Sequence, residues 1–205
     1  MLPKPVVTRL CTLYRLLAEL AAQGRKTVSS TELSGMLGVS AYSIRKDIAH
    51  LGEIGTVGAG YEIAILTDAI AGRLNLAIDR NCCIVGLGRL GSAVLDSDRF
   101  QHSGFRIVAG FDSSINRLET LRTDISLYPA YQIAEIVAQR RIELGIIAVP
   151  APAAQQTAER LIEGGVRGIL NFSSALIRHD HRDVFVTNMD FVRECTILAA
   201  HMELG

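Results

Sequence analysis

The sequence predicts an α/β protein in which a small helical domain precedes a parallel sheet that is covered by helices on both faces. Helical periodicity with capping residues fills the first part of the chain, and from residue 81 onward continuous apolar segments alternate with helical ones. A G-x-G-x-x-G motif joins the first of these apolar segments to a helix. The chain has 205 residues, of which 49% are hydrophobic and 20% are charged, so two packed domains are feasible.

The charges are unevenly distributed, although the formal net charge is zero with 21 basic and 21 acidic residues. Residues 1–50 carry seven Lys or Arg against three acids, whereas the rest of the chain is slightly acidic. This asymmetry favours two domains with different partners over one uniformly basic nucleic-acid binder. No apolar run is long enough to span a membrane, and the N-terminus lacks the pattern of a secretory signal. We therefore expect a cytoplasmic protein with no membrane contact.

Three helices are predicted in the N-terminal domain. The first covers residues 5–23, where leucines recur at spacings of three and four. Ser29 and Glu32 have the spacing of a capping box and open a short second helix. Ser40 is predicted to cap a third helix over residues 41–51. A helix, a short turn and a second helix form the helix-turn-helix layout.

A glycine-rich segment follows the third helix. Residues 52–63 contain four glycines and end in an alternating Tyr-Glu-Ile, which predicts a small β-hairpin, or wing. Residues 65–79 predict a fourth helix that leads into the next domain. We therefore predict a winged helix-turn-helix domain over residues 1–80, a Rossmann-type domain over 81–187 and a C-terminal helical segment over 188–205.

The second domain alternates strands and helices. Strands are predicted at residues 81–86, 105–112, 144–149 and 167–172, with a short edge strand at 184–186. Helices are predicted at residues 90–95, 133–139 and 153–163. Because the strands are continuously apolar, they indicate a parallel sheet with both faces covered. Asn188 is predicted to cap a last helix over residues 189–202.

The glycine motif begins where the first strand ends, and this position makes it more specific than the pattern alone. In a dinucleotide site the first glycine makes the tight turn, the second lets the backbone approach a pyrophosphate, and the third lets helix and strand pack closely. The helix N-terminus adds free N–H groups and a partial positive charge. We therefore predict nucleotide binding by Gly86, Leu87, Gly88, Arg89, Leu90 and Gly91.

An acid stands at the end of the next predicted strand. Asp112 lies 21 residues after Gly91, where it can accept hydrogen bonds from a ribose 2′-hydroxyl and would repel a 2′-phosphate. This favours NAD(H) over NADP(H) as the coenzyme. A structural strand–turn–helix with an unused acid is the alternative.

The second helix of the helix-turn-helix has a polar face. Tyr42, Arg45 and Lys46 lie at spacings of three and four, while Ile44 and Ile48 occupy the opposite side. In a major groove, arginine can read guanine and lysine can contact phosphate, so double-stranded DNA is a candidate partner. An ordinary solvent-exposed face is the alternative.

The sequence leaves little room for an enzyme. The sheet domain uses nearly all residues after the glycine motif, so no second domain is left to hold a substrate over a coenzyme. No histidine is placed beside a strand end with an acid partner, and residues 179–181 indicate an exposed turn rather than a metal site. We predict no catalytic residue and no metal ligand. Reduced, buried thiols are predicted for Cys11, Cys82, Cys83 and Cys195.

Several short motifs follow one another along the chain. They are Arg45-Lys46-Asp47, Gly55-Thr56-Val57-Gly58-Ala59-Gly60-Tyr61, the glycine loop, Val149-Pro150, Ala153-Ala154-Gln155 and Gly168-Ile169-Leu170-Asn171-Phe172. Their order resembles that in the redox-sensing transcriptional repressors of the Rex family, and the resemblance covers essentially the whole chain.

The resemblance implies a homodimer with winged-helix heads, coenzyme-binding domains and C-terminal helices that are swapped between subunits. It implies that the dimer binds an inverted-repeat operator when NADH is scarce and releases it when NADH rises. Pro150 and the swapped Phe191 would lie near the nicotinamide, and Arg15 and Asp190 would form part of the switch. DNA contacts are implied for Ser29, Tyr42, Ser43, Arg45, Lys46 and Gly58.

The chain departs from the family at several positions. Val57 stands where the family commonly has a basic residue in the wing, and His50 and Leu51 stand where it usually has Tyr and Phe. Ser97 occupies the position of a tyrosine that partners the switch aspartate in some members. The leading hypothesis is an NADH-responsive transcriptional repressor. The alternatives are a divergent relative that binds NAD(H) but has lost or altered DNA recognition, and a small NAD-dependent oxidoreductase.

Overall fold

A computed structural model describes residues 2–55, 60–97 and 104–204 of the chain. Contacts between residues separate the chain into two compact units, Met1–Ile78 and Asp79–Gly205. The predicted wing residues Val57 and Gly58 lie outside the described residues. Within the described ranges, no helix is long and apolar enough to cross a membrane.

The first unit contains the predicted helix-turn-helix. Its helices in the described residues are α1 Lys4–Ala22, α2 Ser30–Leu37, α3 Ala41–Ala49 and α4 Ile63–Leu74. Their apolar faces share one core, which consists of Val6, Leu10, Leu13, Leu17, Leu20, Val28, Leu33, Ile44, Ile48, Ile63, Leu66 and Ile70.

The predicted caps of the helix-turn-helix are present. The Ser29 hydroxyl accepts a hydrogen bond from the Glu32 N–H at 3.1 Å, and the Glu32 carboxylate accepts one from the Ser29 N–H at 2.8 Å. These two bonds form the capping box that opens α2. Gly38 ends α2 in a left-handed conformation, with φ of 64°, and the Ser40 hydroxyl caps α3 by accepting from the Ser43 N–H at 3.2 Å.

The fourth helix is shorter than predicted at its C-terminal end. It stops at Leu74 because Asn75 adopts a left-handed conformation, with φ of 55°, and caps it. Ile78, which falls within the predicted helix, is therefore outside it and 48% exposed. The helix begins at Ile63, two residues earlier than predicted, directly after a short strand at Tyr61–Glu62.

Two short strands, β1 Thr27–Val28 and β2 Tyr61–Glu62, pair in antiparallel register. The sequence predicted a hairpin over residues 52–63 but no strand before α2. In the structure Val28 pairs with Tyr61 and Thr27 pairs with Glu62. The strand that follows the wing segment is therefore joined to the segment between α1 and α2.

Within the described residues, the second unit contains a parallel sheet of six strands in the order β5-β4-β3-β6-β7-β8, and every neighbouring pair is parallel. The chain moves outward from β3 to β5 and then returns to β6 on the other side of β3. The carboxyl ends of β3 and β6 therefore mark the switch point where such sheets bind ligands. The strands are β3 Arg80–Val85, β4 Phe105–Asp112, β5 Leu127–Pro129, β6 Leu144–Ile147, β7 Gly168–Asn171 and β8 Phe185–Asn188.

Helices cover both faces of the sheet, as the sequence predicted. Cys83 and Val85 of β3 contribute to one cluster with the helices at Ile133–Gln139 and Ala151–Glu163, whereas Ile84 contributes to another with those at Arg89–Leu95 and Ile115–Thr120. This alternation is expected of a strand that is buried on both faces. The helices are α5 Arg89–Leu95, α6 Ile115–Thr120, α7 Ile133–Gln139, α8 Ala151–Glu163 and α9 Phe191–Leu204, with a 3-10 turn at Ala130–Gln132.

The last helix begins later than predicted and has a different cap. Asn188 is the final residue of β8, and its side-chain oxygen accepts a hydrogen bond from Asn171 at 2.8 Å. Asp190 caps the helix instead, because its carboxylate accepts from the N–H groups of Val192 and Arg193 at 3.0 and 3.1 Å. No residue of α9 is buried within this chain.

The four cysteines divide into two classes. Cys82 and Cys83 are buried in β3, whereas Cys11 and Cys195 are exposed, so the prediction of buried thiols is wrong for the latter two. Cys11 lies on the outer face of α1 and Cys195 lies on α9. Burial raises the pKa of Cys82 to about 12 and also raises the pKa of Cys83.

We expect Cys82 and Cys83 to resist a thiol-specific reagent at pH 8 in the folded protein and to react after denaturation, because only the thiolate is reactive. Mass spectrometry of the labelled peptides measures each site, and the exposed Cys11 is the internal control. Labelling of Cys82 in the folded protein as fast as that of Cys11 would contradict the burial of β3.

Candidate functional site

The loop between β3 and α5 is held in place by its first and third glycines. Gly86 has φ of 94°, and a Cβ there would lie 2.6 Å from the carbonyl oxygen of Ala148. A Cβ at Gly91 would overlap the carbonyl oxygen of Gly86. Both positions therefore require glycine for packing within the protein.

The second glycine has a different environment. A Cβ at Gly88 would meet no atom within 4 Å, so the backbone faces open space. Gly88 is the N-cap of α5, and it provides no side chain to bond the free N–H groups of the first turn. That turn contains no acid, while Arg89 and Leu90 are exposed. The free N–H groups and the helix dipole form an accessible site of positive potential that suits a phosphate.

Asp112, at the end of β4, is bonded to this loop. Its side chain is 4% exposed, and its Oδ2 accepts a hydrogen bond from the Leu87 N–H at 2.7 Å. The same oxygen accepts from the Arg117 guanidinium at 2.9 Å, and Oδ1 accepts from the Ser114 N–H at 2.8 Å. Asp112 therefore fixes the loop backbone from inside the protein.

The charge of Asp112 is stabilised where it lies. Burial by itself raises the pKa of Asp112, but the bonds from the Ser114 and Leu87 amides and from Arg117 outweigh it. The net effect lowers the pKa of this carboxyl below its ordinary value. The group is therefore ionised at neutral pH.

Apolar side chains follow the carboxyl ends of the strands on the other side of β3. Pro150 is the exposed N-cap of α8, which follows β6. Phe172 follows β7 and donates its N–H to the Ile147 carbonyl at 2.9 Å. Its ring stacks on that of Phe191, with 6.2 Å between centroids and 26° between planes. The structure thus brings Phe191 to the carboxyl edge of the sheet in its own chain.

A buried amide connects this edge to the start of α9. The side-chain nitrogen of Asn171 donates to the carbonyl of Ala175 at 2.7 Å and to the Asn188 side chain at 2.8 Å. The Asn171 carbonyl accepts from the Met189 N–H at 2.8 Å. Asn171 is fully buried, so these bonds fix the place where α9 begins.

In the first unit, α3 presents the predicted polar face to solvent. Tyr42 is 69% exposed, and Arg45 and Lys46 are exposed as well. The Arg45 guanidinium donates to the Ser30 hydroxyl at 3.0 Å, which ties it to the first turn of α2. The hydroxyl of Ser43 is within 2.9 Å of that of Ser40, so Ser43 belongs to the cap of α3.

A partly buried ion pair, which the sequence did not predict, holds α3 on α1. Asp47 is 4% exposed, and its carboxylate accepts two hydrogen bonds from the Arg9 guanidinium, at 2.5 and 2.8 Å. The sequence does not show that these two side chains meet, because the guanidinium and the carboxylate are on different helices that come together only in the fold. Ile44 and Ile48 are buried beside this pair, so the opposite face of α3 is turned outward.

The two residues of the implied switch lie in different units. Arg15 is exposed on α1, and Asp190 caps α9. Ser29, for which the resemblance implies a DNA contact, is half-buried and caps α2. Gly58 lies outside the described residues.

Comparison with known proteins identifies the family. Residues 1–49 match the family model described as "Putative DNA-binding protein N-terminus", and residues 78–175 match the one described as "CoA binding domain". The chain is 36% identical over 197 residues to the redox-sensing transcriptional repressor Rex of Carboxydothermus hydrogenoformans, covering 96% of this chain and 94% of the relative. The chain belongs to the Rex family. Rex 1 of Thermotoga maritima is also 36% identical, over 198 residues, with 96% of this chain and 94% of the relative covered.

Solved structures of a Rex-family repressor, RSP, confirm the predicted fold class. The complex of RSP with NAD⁺ and operator DNA matches this chain with a TM-score of 0.90 and 29% identity, covering 98% of this chain and 93% of that chain. The complex of RSP with NADH matches with a TM-score of 0.88 and 28% identity, covering 98% and 94%. The Rex resemblance in the sequence therefore extends to the fold.

We expect Gly88→Val to weaken NADH binding strongly while leaving the Rex fold intact, because the new side chain enters the open space over the loop and its Cβ meets no protein atom within 4 Å. Titration of NADH fluorescence measures the binding, and thermal unfolding measures the stability. Gly91→Val is the matched control, since its side chain would overlap the Gly86 carbonyl and should destabilise the unit. Unchanged NADH affinity in Gly88→Val would place the coenzyme elsewhere.

Proposed function

We propose that this chain is an NADH-responsive repressor of transcription that binds NAD(H) at the carboxyl edge of its sheet and double-stranded DNA through α3 and the wing. The observation that carries the proposal is that one chain joins a phosphate-binding loop to a helix-turn-helix whose recognition helix has an exposed basic face. Full-length relatives named redox-sensing repressors support the same function.

The residues at the carboxyl edge fit a dinucleotide. Gly88 and the first turn of α5 offer N–H groups to the pyrophosphate, and Gly86 and Gly91 keep the loop in the shape that exposes them. On the far side of the switch point, Pro150, Phe172 and Phe191 would lie along the nicotinamide. We propose the same nucleotide contacts as the sequence predicted, with Phe172 added to them.

The apolar side chains account for a preference between the two redox forms. When bound, NADH supplies a neutral dihydronicotinamide ring where NAD⁺ supplies a cationic one. Pro150, Phe172 and Phe191 carry no charge and cannot compensate a buried cation, so they favour the neutral ring. These side chains also cannot donate or accept a proton, and we therefore propose a sensing role and no catalytic one.

The basic face of α3 fits a major groove. The Arg45 side chain is bonded to Ser30 in the first turn of α2, so it loses less conformational entropy when it contacts a base. Lys46 is exposed beside it and suits a phosphate. Tyr42 and the wing, which includes Gly58, would complete the contact.

The C-terminal segment over residues 188–205 supports a homodimer. Helix α9 exposes large apolar side chains that a second copy of the chain would cover, among them Phe191, Val192, Leu198 and Met202. A two-fold dimer presents two recognition helices, which matches an inverted-repeat operator. We propose that α9 is swapped between subunits, that Arg15 and Asp190 belong to the switch, and that the dimer acts in the cytoplasm, where its DNA and coenzyme are found.

We expect NADH to release the protein from a Rex-type inverted repeat, with operator affinity reduced by about tenfold or more relative to an equal concentration of NAD⁺. A mobility-shift titration at fixed salt measures this change. The Gly88→Val protein should bind the operator normally and ignore NADH. An operator complex that responds equally to NADH and NAD⁺ would refute redox sensing. Absence of salt-sensitive binding to the operator would instead favour a relative that has lost DNA recognition.

We expect Arg45→Ala to cost about 1–3 kcal/mol of operator affinity and to relax sequence preference at one position of each half-site. Lys46→Ala is the matched comparison, because loss of a phosphate contact should weaken binding to all sequences and flatten the salt dependence. Fluorescence anisotropy with operator and scrambled duplexes at several salt concentrations separates the two effects. An unaltered affinity of Arg45→Ala would place this residue off the interface.

A further inference from the structure

A buried side-chain amide at the carboxyl edge of the sheet has all of its hydrogen-bonding groups in use. Asn171 is fully buried at the end of β7. Its side-chain nitrogen donates to the Ala175 carbonyl at 2.7 Å and to the Asn188 Oδ1 at 2.8 Å. Its Oδ1 accepts from the Ser173 N–H at 3.0 Å and from the Ser173 hydroxyl at 2.7 Å. Because two acceptors face the nitrogen and two donors face the oxygen, the amide has only one orientation.

The Asn188 side chain joins this amide to the last strand. Asn188 is the final residue of β8, and its Oδ1 accepts from the Ile177 N–H at 3.5 Å as well as from Asn171. The backbone carbonyl of Asn171 accepts from the Met189 N–H at 2.8 Å. Asn171 therefore holds two consecutive residues just before α9, one through its side chain and the other through its backbone.

The same amide adjoins the place where the nicotinamide would lie. Phe172 follows Asn171 directly, and its ring stacks on that of Phe191, the first residue of α9. Asn171 has no donor or acceptor left for a coenzyme, since its four side-chain bonds are all made within the protein. Any effect of Asn171 on a coenzyme response must therefore act through the residues that it holds.

We propose that Asn171 and Asn188 are positioning residues that couple the nicotinamide end of the coenzyme site to α9, and that the Ser173 hydroxyl keeps the Asn171 amide in the required orientation. This inference rests on the proposed function, since it needs NADH at this edge and α9 between two subunits. A buried amide pair with one orientation transmits a displacement, because distorting it leaves a donor or an acceptor unsatisfied. Without the pair, the start of α9 relaxes independently of the sheet edge.

A matched pair of substitutions at Asn188 tests the coupling in the full-length protein. Asn188→Leu is similar in size but removes the oxygen that accepts from Asn171, whereas Asn188→Asp keeps an acceptor there. NADH fluorescence measures coenzyme binding, and fluorescence anisotropy measures operator affinity with and without NADH. In Asn188→Leu we expect each ligand alone to bind within about threefold of wild type, while the NADH-induced loss of operator affinity falls from about tenfold or more to less than about threefold. Asn188→Asp should retain the wild-type response.

Ser173→Ala is a milder second variant, which keeps the proposal testable if Asn188→Leu does not fold. It removes one of the two bonds to the Asn171 oxygen and leaves the bond from the backbone N–H in place. We expect the NADH-induced loss of operator affinity in this variant to be about threefold smaller than in wild type, because the amide orientation is then less strongly held. Thermal unfolding shows which variants are folded.

Three results would overturn the proposal. One is a folded Asn188→Leu protein that releases the operator by the same factor as wild type or that no longer binds NADH, since Asn188 would then have no coupling role. Another is an Asn188→Asp protein that loses the response as fully as Asn188→Leu. The third is an unchanged NADH response in Ser173→Ala. If wild type responds to NADH and all variants respond equally, only this inference fails, whereas a wild-type protein without a response contradicts the proposed function itself.

Discussion

The close approach of α5 to the end of β3 is the constraint on which the proposed coenzyme site depends. A side chain at Gly91 would overlap the Gly86 carbonyl, and one at Gly86 would lie 2.6 Å from the Ala148 carbonyl oxygen of the neighbouring segment. The Leu87 side chain is buried, and its N–H is bonded to Asp112. The loop is therefore held by packing on both sides and by a carboxylate underneath. Gly88 faces open space, so the loop that this packing makes rigid is also accessible to a phosphate.

A buried carboxylate has the same role in the first unit. Asp47 follows Arg45 and Lys46 directly, yet it is buried while they are exposed, because three consecutive residues cover most of one helical turn. A buried carboxylate without a partner would cost several kcal/mol, so the Arg9 guanidinium is needed to keep α3 in this rotation. In both units a buried aspartate paired with an arginine orients an element whose proposed binding surface lies on its other side. That surface is the exposed face of α3 in one unit and the open side of the glycine loop in the other.

Most of the fold could be predicted from local signals. The capping box at Ser29, the cap at Ser40 and the glycine loop depend on neighbours within a few residues, and the structure contains all three. The strand Leu127–Pro129 and the helix Ile115–Thr120 were not predicted, because both are short and the strand lies at the sheet edge. The sequence predicts a helix cap at Asn188 because it does not show that β8 continues to this residue. The partners of the two buried aspartates were also beyond prediction, since each depends on how separate elements pack.

The connection between the sheet and α9 gives the proposed switch a physical route. Asn171 and Asn188 join the ends of β7 and β8 and fix the residue from which α9 starts, and the Phe172 ring stacks on the first residue of that helix. The same sheet edge is where the nicotinamide would lie. In the proposed swapped dimer, a change at this edge would act on the start of α9 and, through α9, on the second subunit and the spacing of the two recognition helices. Because this coupling is an equilibrium property, an operator that holds one spacing of the heads must weaken NADH binding by the same factor by which NADH weakens the operator.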